Sequence, residues 1–187
     1  MAYEEWGPLS GLLGTFEGEA GVDVSFHNDD GKIGQTRYTE RTSFRPFGPI
    51  DNGLQCLYGL DYRTTAWRIG EESPFHSEVG YWLWDVKEQQ VMRCFMMPRG
   101  LALIAGGSAS PDARTFRLSA ELGSDTYGIL SNRFLDDVAR ATRFEVTVTL
   151  EDDGFAYDET TLVEHDRTGG VVMHTDKNTL HRVSWEA

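Results

Sequence analysis

The sequence predicts an all-β fold, a single antiparallel β-barrel of about ten strands with one or two short helical turns. Short runs of Val, Ile, Thr, Tyr, Phe and Trp are separated by clusters of Gly, Asn and Asp, a pattern typical of strands joined by turns. Many consecutive antiparallel strands pack as two sheets or close on themselves, and closure removes exposed edges. We therefore expect residues 1–187 to form one barrel domain with space for one small ligand.

The predicted strands follow one another at short intervals. In the first run, residues 14–26, the larger side chains share one parity: Phe16, Ala20, Val22, Val24 and Phe26. The later runs are 35–44, 54–58, 62–67, 76–85, 90–97, 100–106, 115–120, 144–150, 155–163 and 171–183. Turn-forming clusters separate them, including residues 28–31 and 151–154, and a Pro/Gly-rich bend is expected at 45–49.

Two segments depart from strand spacing. Residues 134–141 place apolar side chains at i, i+1, i+4 and i+5, which predicts a short helix. A second helical turn is expected at residues 9–13, where it would plug one end of the barrel. The sequence shows no internal repeat and no linker, so nothing divides the chain into further domains.

Composition narrows the range of partners. The 187 residues carry 30 acidic and 17 basic side chains, a net charge of −13. Because no basic patch interrupts this charge, nucleic acid and anionic membrane surfaces are not expected partners. No apolar run is long enough for a bilayer, and the first residues lack the basic start and apolar core of a signal peptide. We therefore expect a cytoplasmic protein without membrane insertion.

Familiar catalytic motifs are missing from the sequence. There is no G-x-S-x-G elbow, and the glycine pairs lack the pattern of a phosphate-binding loop. Cys56 and Cys94 lie in strand-like runs without metal-ligand spacing, which favours small buried hydrophobes, although a disulfide remains open. The sequence therefore offers no catalytic residue of a hydrolase.

The histidines are the strongest candidates for binding chemistry. His76 opens a predicted strand, and His174 lies in the last one. A histidine in an apolar pocket can supply neutral nitrogen to a metal or to heme iron, but a strand histidine is more often merely hydrogen-bonded. His181 is a rival to His174. Because the two are seven residues apart, a regular strand points them to opposite faces, so only one can enter the barrel.

Several motifs carry a resemblance to a known family. Residues 13–18 read LGTFEG, close to L-G-x-W-x-G, and residues 74–82 read PFHSEVGYW, matching P-x-H-x-E-x-G-Y-(F/W). Residues 36–44 form an aromatic strand between them, and a histidine lies in the last strand. The chain resembles the nitrobindins, heme-binding β-barrels related in shape to fatty-acid-binding proteins and lipocalins. This resemblance extends over most of the chain.

The resemblance implies a cofactor and an activity. In nitrobindins the last-strand histidine binds ferric heme iron, which implies His174 as the proximal ligand of heme b and His181 as the alternative. The histidine of the P-x-H-x-E-x-G motif implies that His76 lies on the distal side. The implied activities are binding of nitric oxide and isomerisation of peroxynitrite to nitrate, with the heme iron as reactive centre and no catalytic side chain assigned.

The chain also departs from the family pattern. Phe16 replaces the usual Trp, residues 123–141 form an insertion of open role, and Thr175 follows His174 where leucine is more usual. These departures keep a second hypothesis open, a heme-free barrel that carries a small apolar or fatty-acid-like ligand. A barrel filled by its own side chains is a third. The sequence also leaves open whether the protein is a monomer or a homodimer.

Overall fold

A computed structural model describes residues 4–186, which form two short helices and eleven strands. The N-terminal helix is a 3-10 helix, Glu4–Leu12, and helix α1 spans Arg133–Val138. The strands are β1 Gly14–His27, β2 Lys32–Asp51, β3 Cys56–Arg68, β4 His76–Asp85, β5 Gln90–Met97, β6 Leu101–Ser108, β7 Thr115–Leu122, β8 Gly128–Ser131, β9 Ala139–Glu151, β10 Gly154–His165 and β11 Gly170–Ser184. The predicted all-β architecture is confirmed.

The strands close into one barrel. Neighbours follow the order β1, β11, β10, β9, β7, β8, β6, β5, β4, β3, β2, and β2 returns to β1. Most neighbours are consecutive in sequence, because hairpin connections place each strand beside the preceding one. Pairing of the first strand with the last completes the wall.

One pair of neighbours runs parallel, which corrects the expectation of a purely antiparallel barrel. Strand β8 pairs in parallel with β7 at two positions, Glu121 with Gly128 and Leu122 with Ile129. The connection between these two parallel strands, residues 123–127, can be this short because β8 starts beside the end of β7 and continues in the same direction. Strand β8 then pairs with β6 over residues 101–103, where β7 no longer reaches. The inserted segment 123–141 therefore closes the wall between β6 and β7.

Two local predictions need correction. The expected bend at 45–49 lies inside β2, because a register shift between Phe47 and Ile50 accommodates the prolines while pairing with β3 continues. The predicted helix at 134–141 is shorter, and Ala139 already begins β9. Asn132 caps helix α1 by accepting a hydrogen bond from the Leu135 amide. No residue of helix α1 is buried, so the apolar spacing of residues 134–141 does not indicate a helix face in the core.

The 3-10 helix closes one end of the barrel, as the sequence predicted for residues 9–13, although the helix begins earlier, at Glu4, and ends at Leu12. Leu9 and Leu12 are fully buried, and the Trp6 indole donates a hydrogen bond to the Gly59 carbonyl at 2.9 Å. Gly7 adopts a φ of 53°, and a Cβ there would lie 2.6 Å from the Trp84 ring. The helix is therefore seated directly on the apolar core, and we call this the closed end.

A bulge in β1 reverses the parity that the sequence predicted there. The pairings of β1 with both β2 and β11 shift register next to Gly18 and Gly21. Beyond the shift, Asp23 is buried at 5% exposure, whereas Ala20 is exposed. One extra residue in a strand turns every later side chain to the other face. Asp23 therefore points inward at the opposite end of the barrel, which we call the open end.

Neither helix of the described residues has the length and apolar character required to cross a bilayer. Cys56 and Cys94 are both free thiols with partly exposed side chains. The predicted strand placement of the two cysteines holds, and the structure shows no disulfide between them.

Candidate functional site

The structure brings His76 and His174 to the open end. His76 is the first residue of β4. His174 shares its strand parity with the buried residues Asn178 and Leu180, so its ring points inward. His181 lies on the exposed outer face of β11. As the seven-residue spacing predicted, only one of the two last-strand histidines enters the barrel.

Two carboxylates enclose the imidazole of His174. Its Nε2 atom lies 2.6 Å from Oδ2 of Asp23 and 2.9 Å from Oδ2 of Asp176. Asp23 and Asp176 are directly paired across β1 and β11, and His174 is two residues from Asp176 on the same face. The Ser25 hydroxyl donates a hydrogen bond to the other oxygen of Asp23 at 2.7 Å. Sheet register alone therefore assembles this cluster.

These contacts favour a charged pair. Burial lowers the pKa of His174, but hydrogen bonds to Asp176 and Asp23 outweigh burial and raise the pKa to about 10. Burial raises the pKa of Asp23, yet the hydrogen bond and charge of His174 together with the hydrogen bond from Ser25 outweigh burial, and the net pKa is lowered. At neutral pH the cluster is an imidazolium between two carboxylates.

Arg93 crosses the barrel interior below this cluster. Its guanidinium donates to an oxygen of Glu78 and, at 2.8 Å, to Glu159, and its Nε donates to the Tyr62 hydroxyl at 3.1 Å. Nε2 of His76 lies 3.6 Å from the second oxygen of Glu78. The Arg93 and Glu78 side chains are only 10% and 4% exposed, so this is a buried ion pair within a larger hydrogen-bonded group.

The surroundings of Arg93 shift the two glutamates in opposite directions. Burial raises the pKa of Glu78, but Arg93 and His76 outweigh burial and hold it below its usual range. Burial raises the pKa of Glu159 to about 7, because it outweighs the opposing effect of Arg93 and the nearby Glu78 and Asp176 add to it. The guanidinium also lies 4.3–5.8 Å from the centres of four aromatic rings, those of Phe95, Trp82, Tyr62 and Phe144. Arg93 thus separates the apolar core from the charged open end.

A second polar group surrounds Glu40. Its carboxylate accepts hydrogen bonds from Tyr157 at 2.8 Å, from Asn178 at 3.0 Å and from Thr42 at 3.0 Å. The Tyr38 hydroxyl lies 2.8 Å from that of Tyr157 and completes the chain. Burial raises the pKa of Glu40 although these donors oppose the shift. This part of the lumen is therefore filled by paired polar side chains.

The inward-facing charges above Arg93 form what we call the acidic mouth. It comprises Asp23, His76, Glu78, Glu159, His174 and Asp176. Solvent reaches into it, since the side chains of His76 and His174 are 36% and 35% exposed. Its walls therefore carry four carboxylates, two imidazoles and water-accessible surface. Two hollows lie elsewhere, on the outer face of β9–β11 and beside helix α1, and neither includes these histidines.

The sequence predicted the two histidines of the mouth but missed Asp23 and Arg93. An arginine at the inward position between Val91 and Phe95 is a signal for a buried charge, since such a residue needs partners. Asp23 has no such signal, because the bulge that turns it inward has no strong mark beyond Gly18 and Gly21. The carboxylates Glu78, Glu159 and Asp176 are scattered in sequence and meet only in the folded barrel.

The comparisons with known proteins bear on this architecture. Residues 5–182 match the family model described as the THAP4-like, heme-binding beta-barrel domain. No curated protein sequence matches the chain significantly. The crystal structure of Rv2717c from M. tuberculosis superposes with a TM-score of 0.68 at 20% identity, covering 93% of this chain and 94% of that chain. At this identity the likeness shows the fold alone.

The family match extends over nearly the whole chain and confirms the resemblance found in the sequence. The structural likeness agrees with it in architecture. Heme is accordingly the cofactor that membership implies in general. This chain belongs to the family of THAP4-like, heme-binding β-barrel domains.

Proposed function

We propose that this protein binds a small cation in the acidic mouth of its barrel. The observation that carries the proposal is the enclosure of the His174 Nε2 atom by Asp23 and Asp176, at 2.6 and 2.9 Å. Glu78 and Glu159 add two further carboxylates, and Arg93 is the fixed positive charge that pairs with them. Because the four carboxylates outnumber Arg93 and the protonated His174, the mouth keeps a net negative charge, which attracts cations.

The residues around His174 do not fit the heme that the family implies. A heme iron bound by Nε2 would require both carboxylates to withdraw from this atom, because the porphyrin would occupy the space around the metal, whereas a small ion can be shared with them. A porphyrin also needs a flat and mostly apolar slot beside that nitrogen. The inward-facing neighbours on β11 and β10 are instead the polar residues Asp176, Asn178 and Glu159. A porphyrin in this space would separate such side chains from their partners and leave buried charges, such as Glu159, unpaired.

The same charges argue against the apolar-ligand hypothesis. A fatty acid carries a carboxylate, and the mouth already carries four. With a net charge of −13, the whole chain also repels anions. The apolar part of the lumen lies beneath Arg93 and is packed with its own side chains, among them Trp82, Phe95 and Phe144. A cationic ligand matches these walls better than an apolar or anionic one.

A second candidate function follows from family membership. Both histidines implied by the resemblance lie at the open end, which favours the activity expected of a nitrobindin: nitric oxide binding and peroxynitrite isomerisation at a ferric heme b. In that case His174 would be the proximal ligand and His76 a distal residue. This candidate requires Asp23 and Asp176 to move away from His174, whereas a small cation can keep all three side chains around it.

Hemin titration separates the two candidates. We expect the absorption spectrum of hemin with the parent protein to equal that with the His174→Ala variant, because under the cation proposal this ring does not bind heme iron. His181→Ala is the matched control, since it removes an exposed histidine from the outer face of the same strand. A Soret band that disappears in His174→Ala and persists in His181→Ala would overturn the cation proposal in favour of heme.

Melting curves with defined probes test the ligand class. Divalent metal ions and butane-1,4-diammonium should raise Tm, because a ligand that binds only the folded state stabilises it. Decanoate should leave Tm unchanged. A rise in Tm with decanoate and none with either kind of cation would refute the proposal and restore the apolar-ligand hypothesis.

A further inference from the structure

We propose that Asp23, His174 and Asp176 form a binding site for one divalent transition-metal ion without a porphyrin. This inference rests on the proposed cation binding and identifies its occupant. The three donor atoms, two carboxylate oxygens and Nε2, all lie within 4.8 Å of one another. Donors that share a metal at about 2.0–2.2 Å lie about 3 Å apart, close to the present separations. Binding therefore requires only small side-chain movements, together with release of the Nε2 proton that the metal ion replaces.

The scaffold holds these donors in place. Asp23 and Asp176 face each other across neighbouring strands, and His174 adds a third donor from the same face of β11. Ser25 donates to Oδ1 of Asp23, which leaves Oδ2 directed at the imidazole. Ligands on paired strands are held rigidly, and a second residue that hydrogen-bonds a ligating carboxylate, as Ser25 does here, fixes its orientation towards the metal.

The donor set indicates the class of metal. One imidazole with two carboxylates is the combination found in sites for Fe²⁺, Mn²⁺, Co²⁺ and Zn²⁺, and the two negative charges balance a divalent ion. Mg²⁺ and Ca²⁺ prefer ligand sets made only of oxygen, so the imidazole disfavours them. The two free cysteines are not part of the cluster, which disfavours metals that require thiolate.

The site also leaves room for further ligands. The side chains of His174 and Asp176 are 35% and 24% exposed, so water reaches the cluster from the open end. Three protein donors on one side leave coordination positions that face this solvent. A bound ion would therefore keep exchangeable water or accept a small ligand through the mouth.

Cobalt titration provides the test. Tag-free protein is treated with EDTA, desalted and titrated with Co²⁺, and the visible d–d bands and the heat of binding are recorded. We expect one equivalent to bind and Zn²⁺ to displace it. Asp23→Asn, Asp176→Asn and His174→Gln should each weaken binding about a hundredfold or more, and Ser25→Ala about tenfold, because it only orients Asp23. His181→Gln should bind as the parent does.

The outcomes separate this site from the wider proposal. Saturable Co²⁺ binding that the three ligand variants lose and His181→Gln keeps supports the site. Absence of Co²⁺ bands overturns it, and a Tm rise with butane-1,4-diammonium would then leave the cation proposal standing. Binding of equal strength in all variants overturns the assignment to these residues. Melting curves show whether each variant is folded. If Asp23→Asn does not fold, the effect of Asp176→Asn on Co²⁺ binding decides whether these residues form the site.

Discussion

The two ends of the barrel interior are lined by different kinds of side chain, apolar at one end and charged at the other. At the closed end, Leu9 and Leu12 of the 3-10 helix and Trp84 of β4 belong to one buried apolar cluster. At the open end, inward positions of the same strands carry carboxylates, imidazoles and Arg93. Apolar burial stabilises the first region, whereas charge pairing holds the second together and its carboxylates outnumber their cationic partners. The difference predicts that the closed end contributes stability without binding, whereas the open end binds ligands and its stability depends on charge pairing.

The largest expected effect is at the boundary between the two regions. Arg93→Met should lower the free energy of unfolding at neutral pH by about 3–5 kcal/mol, because it leaves Glu78 and Glu159 without their buried partner. Urea unfolding measures it. Arg117→Met is the matched control, since Arg117 pairs with Glu145 on the outer surface and should cost less than about 1 kcal/mol. Equal effects of both changes would contradict the boundary role of Arg93.

The closed end should respond almost as strongly, but without an effect on binding. Leu9→Ala should cost about 2–5 kcal/mol, because the side chain is fully buried and leaves a cavity. Leu54→Ala should be nearly neutral, because Leu54 is 87% exposed. Urea unfolding measures both. If Leu9→Ala also weakened Co²⁺ binding at a temperature where it remains folded, the two ends would be coupled and the comparison would fail.

The open end should make the stability of the metal-free protein depend on pH. The folded pKa of His174, about 10, is above its ordinary value of 6.5, so the folded state holds more protons between these values. This contribution is complete below pH 6.5 and is lost as the pH rises towards 10. Melting curves across that window should show a falling Tm, and His174→Gln should flatten it. A parent Tm that does not fall, or a variant that falls as steeply, would refute the charged pair.

The smallest expected effect concerns the inner wall of the mouth. Glu159→Gln should weaken Co²⁺ binding by about threefold to tenfold, because it removes a carboxylate that is only partly ionised near neutral pH and is not a metal ligand. Calorimetric titration can resolve this change. Glu145→Gln, which removes a carboxylate from the outer surface, should leave the affinity unchanged. If the two variants bound alike, the electrostatic part of the comparison would be wrong.

Several parts of this picture could be predicted from the sequence because they depend on local patterns. Alternating β-branched and aromatic runs predicted the barrel, and apolar residues near Leu9 predicted the plug. The odd spacing of His174 and His181 predicted that only one of them would face inward. Strand β8 was missed, because its two-position parallel pairing with β7 depends on where β7 ends rather than on any residue pattern.

The sequence by itself determined the fold class and the family, because hydrophobic periodicity, turn residues and short motifs are properties of neighbouring residues. Only the tertiary structure decided the composition of the acidic mouth. The bulge beside Gly18 and Gly21 turned Asp23 inward, and strand pairing brought it to Asp176 and His174. Contacts between residues about 150 positions apart arise from register across the barrel, and a one-residue shift reverses them.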